Sequence, residues 1–127
     1  MTDLRAFSAS SLRDAIAAGE TTARRAVDAS FDRMRDVGAG KDGLNILLYQ
    51  DRHDALTRAA ECDAGDPAAR GRPLNGVPVV VKDNIATSVM PTSCGSKILM
   101  SHMTRTTHMT GVIAAQAANA RVRRQRT

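Results

Sequence analysis

Aromatic residues are almost absent from this 127-residue chain: there is no tryptophan, one tyrosine (Tyr49) and two phenylalanines (Phe7, Phe31). A core must then be built from Ala, Val, Leu, Ile and Met, which bury less area per residue. The same scarcity removes the stacking platform on which single-stranded nucleic acid is bound. Cysteine is as sparse. Cys62 and Cys94 stand far apart with no CxxC or Cys/His ligand spacing, so neither a zinc site nor a disulfide framework is indicated. No apolar run approaches the roughly 20 residues of a membrane span, and the opening MTDLRAFSASSLRDA lacks the apolar stretch of a signal peptide. The expectation is a reduced, cytoplasmic setting without a membrane partner.

Acidic residues are missing from one end only. Residues 101–127 hold five arginines (Arg105, Arg121, Arg123, Arg124, Arg126) and no Asp or Glu, while the first 100 residues are balanced at 13 of each sign. The net charge of +5 is therefore a property of the tail. Such a tail can attract phosphate without specificity, but no recognised DNA- or RNA-reading motif accompanies it, and no direct nucleic-acid site follows. His102 and His108 lie in the same region without a carboxylate or thiol partner, which is weak ground for a metal site. The composition break near Met100 divides the chain into 1–100, long enough for a real core, and a basic tail, 101–127, read as disordered or frame-altered.

The first part is punctuated as helices. Residues 8–19 predict a short helix, with Ser8, Ser10 or Ser11 as its cap, Leu12 and Ile16 on one face, and Gly19 just past its end. Thr21 or Thr22 caps a second helix to about residue 37, whose stripe is Ala23, Ala26, Val27, Phe31 and Met34. Residues 51–64 predict a third, with Ala55, Leu56, Ala59 and Ala60 inward. Residues 44–49 (LNILLY) and 77–81 (VPVVV) predict strands. The second has no polar alternation, as in a strand buried on both faces of an α/β sheet. Residues 65–75 form a loop by their Gly and Pro content.

Lys82 ends that apolar run and opens a loop of small polar residues: Asp83, Asn84, Thr87, Ser88, Thr92, Ser93, Cys94, Gly95 and Ser96. A lysine amine acts as a base only when neutral, and burial is what lowers its free pKa of about 10.4. Two readings stay open on spacing alone: a buried base, or a strand-terminal lysine whose stem packs while its ammonium reaches water. Cys94 has no histidine placed to activate it, so a packed small residue is the plainer reading. Asp83 and Asn84 can brace the loop by ordinary Asx-turn hydrogen bonds.

Taken together, PLNGVPVVVKDNIATSVMPTSCGSKIL, residues 73–99, resembles the lysine segment of the amidase signature family. Its ending, T-S-C-G-S-K-I-L, looks most like the glutamyl-tRNA(Gln) amidotransferase branch. The resemblance covers about residues 8–99. It implies an α/β fold, a mixed sheet with N-terminal helices, incomplete in this chain. It also implies a Ser–cis-Ser–Lys triad in which Lys82 matches the base that draws a proton from the bridging serine. The nucleophilic serine then attacks an amide carbonyl, ammonia leaves and water resolves the acyl-enzyme. No metal or organic cofactor is implied. The implied substrate is glutamine or another small amide. In the amidotransferase branch, ammonia passes on to the B and C subunits, the partners with which Glu-tRNA(Gln) is converted to Gln-tRNA(Gln).

The sequence departs from that pattern in one respect. The family's Gly/Ser-rich motif, which carries both serines and the oxyanion donors, has no counterpart here, and Ser88, Ser93, Ser96 and Ser101 lie too near Lys82 to match it. The expectation is an N-terminal amidase fragment, truncated or frame-shifted and inactive alone. A general small-amide amidase fragment and a non-catalytic α/β binding module with a basic tail are the alternatives.

Overall fold

The computed structural model describes residues 3–38, 42–44, 47–66, 72–83, 85, 90, 92–93, 96 and 98. A 3-10 turn, Leu4–Ala6, leads into α1 (Ala9–Ala17), α2 (Ala23–Gly38) and α3 (Arg52–Asp63). The two ends of α1 and of α3 follow from their capping residues. Ser8 is the N-cap of α1, its side chain accepting the Ser11 N–H at 3.1 Å. At the other end the Gly19 N–H donates to the Ile16 carbonyl and the Glu20 N–H to the Ala15 carbonyl, with Gly19 at φ +75°. That pairing is a Schellman ending, which needs the left-handed residue that glycine supplies. α3 repeats it: Gly65 at φ +78° donates to Cys62, and Asp66 donates to Glu61. Asp51 caps the start of α3 through the Asp54 N–H at 2.9 Å.

The start of α2 is held from two directions. Thr22 Oγ1 accepts the Arg25 N–H at 3.1 Å, as the sequence allowed. Asp63, at the end of α3, reaches across and accepts the Ala23 N–H at 2.7 Å and the Arg24 N–H at 3.1 Å. One carboxylate thus satisfies two donors that the helix itself leaves unmet, at the end where its dipole favours negative charge.

The α2–α3 contact forms one core: Ala23, Val27, Phe31, Ala55, Ala59 and Cys62, with Ile16, Met34 and Leu56 packed against it. The α3 face is made of small residues, Ala55, Ala59 and Cys62, and the larger Val27 and Phe31 of α2 pack against it. Arg52 lies 5.6 Å above the Phe31 ring and bonds Asp28 of α2 at 2.7 Å. Of the stripe expected on α2, Ala23, Ala26, Val27 and Phe31 are buried and Met34 is half-buried. On α3 the inward face is Ala55, Ala59 and Cys62; Ala60 is exposed. The i, i+4, i+7 spacing of 55, 59 and 62 keeps these three in line along the helix, whereas residue 60 is turned past the edge.

A second cluster joins α1, α2 and the chain after α3: Leu12, Ala26 and Val77, with Leu4, Phe7, Ile16 and Leu74 around them. Gly76 makes this junction possible. Its φ is +78°, and a Cβ there would lie 3.1 Å from the Ala23 Cβ and 3.2 and 3.3 Å from Ile16 carbons. The Arg13 guanidinium secures the same turn through the Pro73 carbonyl at 3.3 Å.

Neither expected strand is paired among the described residues. Leu44 is 68% exposed, and its N–H returns to the Val37 carbonyl at 2.9 Å. Val77 is 5% exposed but Val80 is 61% exposed, so burial on both faces is not seen. A ladder needs a neighbouring edge, and Pro78 offers no N–H to one. Among the described residues no helix is long and apolar enough to cross a membrane.

Two stability effects follow. Gly19 and Gly76 share a positive φ, so alanine at either costs about 1 kcal/mol of backbone strain. Nothing lies within 4 Å of a Cβ at Gly19, so urea unfolding of Gly76→Ala should show at least about 1 kcal/mol more destabilisation than Gly19→Ala, the overpacking share. Asp63→Ala should cost about 1–2 kcal/mol by the same measurement, in the range of a lost N-cap, although it lies on a different helix.

Candidate functional site

Val77 is the last anchored residue before Lys82. Its side chain packs with Leu12 and Ala26, and its N–H donates to the Leu74 carbonyl at 3.1 Å. From there the chain rises out of the helical corner. Pro78 and Val79 are half-buried, and Val80 and Lys82 are exposed. The Lys82 side chain stands in solvent, at the end of a segment whose other end is fixed in the core.

The loop beyond is braced by Asp83. Its Oδ1 accepts the Ser93 N–H at 2.8 Å and its Oδ2 accepts the Ser93 hydroxyl at 2.6 Å. The Ile85 N–H closes a turn onto the Lys82 carbonyl at 2.9 Å, and the Ser96 N–H closes another onto the Ser93 carbonyl at 2.8 Å. Ser93 is 3% exposed. The sequence named Asp83 as a brace; what it could not supply was the partner, ten residues on. Thr92 is half-buried, and its Oγ1 is enclosed without a hydrogen-bond partner among the described residues. Asn84, Thr87, Ser88, Cys94, Gly95, His102, His108 and the arginine-rich segment lie outside the described residues. No group of three or more His, Cys, Asp or Glu is placed to hold a metal ion among the described residues.

Cys62 is buried in the α2–α3 core, and its thiol donates to Asn75 Oδ1 at 3.2 Å. Burial pushes its pKa above the ordinary 9.0, against the Gly76 N–H, which favours the thiolate; Asp63 raises it further, Arg72 lowers it and Asp66 raises it. It ties α3 to the turn at 73–76 and presents no nucleophile, since the thiol and not the thiolate is the favoured form.

With this geometry in view, comparison with known proteins identifies the class: the chain belongs to the amidase family, whose model, Amidase, matches residues 25–116. That match begins within α2 and contains α3, Lys82 and the Asp83–Ser93 brace, and it runs past the composition break near Met100. Among curated relatives, the A subunit of glutamyl-tRNA(Gln) amidotransferase from Salinispora tropica is 42% identical over 103 residues, covering 78% of this chain and 20% of its own length. Its counterpart from Renibacterium salmoninarum is 42% identical over 101 residues, with 78% and 19% covered. That from Solidesulfovibrio magneticus is 40% identical over 99 residues, with 78% and 20% covered. The chain spans about one fifth of the length of the relatives it matches.

The raised thiol pKa has a pH signature. The folded state favours protonated Cys62, so its contribution is complete below the ordinary value. It declines as pH rises past about 9.0, where the unfolded chain releases the proton first. Urea midpoints measured from pH 7 upward should fall more steeply above that value in the native chain than in Cys62→Ala.

Proposed function

We propose that Lys82 is the base of a Ser–cis-Ser–Lys amidase, and that this chain is the N-terminal, lysine-bearing portion of a glutaminase component of an amidotransferase. The observation that carries this reading is the amidase family match across residues 25–116, which contains Lys82. Relatives about 40% identical are A subunits of glutamyl-tRNA(Gln) amidotransferase, which supports glutamine as the substrate and the B and C subunits as the partners. The setting is cytoplasmic. The fold is α/β, with the helical corner at one side of a mixed sheet to which residues 77–81 contribute a strand.

In the proposed reaction, neutral Lys82 Nζ takes a proton from the cis-serine, which takes one from the nucleophilic serine. That serine oxygen bonds the amide carbon, and the C–N bond breaks as ammonia receives a proton. Water then attacks the ester and restores the serine. The residues present supply the base alone. Neither serine of the pair has a match in this sequence, and the oxyanion donors belong to the same missing motif. Exposed Lys82 becomes an effective base only when further protein covers it, because desolvation is what favours the neutral amine. Covering and nucleophile would come together, from the part of the relatives' length that has no counterpart here.

The test uses a hybrid in which residues 1–99 replace the matching segment of the Salinispora tropica protein, assembled with its own partners. The hybrid should release ammonia from glutamine, and Lys82→Ala should lower kcat by about 10²- to 10⁴-fold, the share of a positioned base. Lys82→Arg should fare no better, since a guanidinium does not give up its proton. The 127-residue chain by itself should release none. Near-normal turnover in Lys82→Ala removes the assignment.

A further inference from the structure

A lysine stem is long and flexible, so the fold can fix only where the stem begins. Around Lys82 that point is fixed from both sides. Toward the N-terminus, Val77 is buried against Leu12 and Ala26. Toward the C-terminus, the Lys82 carbonyl accepts the Ile85 N–H at 2.9 Å. The adjoining Asp83 takes both donors of Ser93, at 2.8 and 2.6 Å. Ser93 is itself in a turn closed by the Ser96 N–H at 2.8 Å. The carboxylate therefore joins two turns into one unit, with Lys82 at its edge. Bonds from a charged acceptor to a residue only 3% exposed are the strong kind, little weakened by competing water.

We propose that Asp83 is a positioning residue for Lys82, with Ser93 as its counterpart. The carboxylate touches no reacting atom. It holds the backbone from which the lysine side chain projects, so that the ammonium samples a narrow region instead of swinging with a loose loop. This rests on the reading of Lys82 as a base. It adds to that reading the residue that fixes where the base stands, and it assigns the Ser93 hydroxyl a structural partner in place of a chemical role. Misplacement of a catalytic group by about 1 Å can cost about 10²-fold in rate, so loss of the latch should appear in turnover before it appears in substrate binding.

Two samples test it. In the full 127-residue chain, proton–nitrogen correlation spectra should show the Ser93 amide shifted downfield and slow to exchange. Asp83→Ala should abolish that signature, while Asp83→Asn, which keeps an oxygen for the N–H, should retain it. In the hybrid enzyme, Asp83→Ala should lower kcat by about 10- to 100-fold, with KM changed less than about twofold. Asp83→Asn should recover most of that loss, which a charge-only role would not permit. Ser93→Ala removes one of the two bonds without touching Asp83 and should give an intermediate kcat, so the idea stays testable if Asp83→Ala does not fold. Unchanged kcat in both Asp83→Ala and Ser93→Ala, beside an inactive Lys82→Ala, overturns the positioning role and leaves the base in place. Full turnover in Lys82→Ala overturns the base itself, and the positioning role with it.

Discussion

The structure hangs on one close approach. At Gly76 the backbone comes so near α1 and α2 that a single added methyl would press on Ala23 and Ile16 at 3.1 to 3.3 Å. Only a residue without a side chain, and with a left-handed φ, fits there. That seat sets Val77 into the core between Leu12 and Ala26, brings Asn75 to the Cys62 thiol, and fixes the direction in which the chain departs toward Lys82. The helices are thus a foundation for a segment that contributes little to their packing. The family match begins within α2 and continues through that segment, which treats foundation and lysine as one piece.

Two carboxylates do the same job at two scales. Asp63 accepts two backbone N–H groups at the start of α2, and Asp83 accepts an N–H and a hydroxyl from Ser93. An ionised carboxylate has only acceptors to offer, with room for more than one donor. It therefore suits places where the chain leaves two donors side by side. In the first case the donors are the unmet amides of a helix end; in the second they belong to one serine. The first bond pair sets how α3 lies on α2, and the second sets how the loop lies beside Lys82.

Short-range chemistry made most of this legible in advance. Ser8, Thr22 and Gly19 are read from local rules, because each acts on atoms within a few residues of itself. The α2 stripe is read from spacing, because one continuous helix carries it. What escaped was nonlocal. Nothing near Asp63 in sequence points to Ala23, 40 residues earlier, and nothing in the Asp83 neighbourhood selects Ser93 over the other hydroxyls of that loop. Ala60 and Cys62 were separated by the rotation of α3 against α2, which alanine-rich helices specify weakly since several faces are equally small. The apolar run 77–81 advertises a strand, but pairing belongs to two strands at once, so one run cannot name its neighbour. Lys82 was found by motif and not by geometry: a lysine at the end of an apolar run has many uses, and only the long pattern around it narrows them.

The seat at Gly76 also has a history within each molecule. Ile16, Ala23, Val27, Phe31, Ala55, Ala59 and Cys62 all precede it in the chain, and so does Asp63, which caps α2. A ribosome adds about 5–20 residues per second and domains form from the N-terminus onward. The helical corner is therefore synthesised about a second before the glycine that must settle against it. Helix–coil relaxation is far faster than that, so the helical residues have time to sample their contacts before the segment arrives. The lysine is in this sense templated: its starting point is decided by protein already made when it emerges.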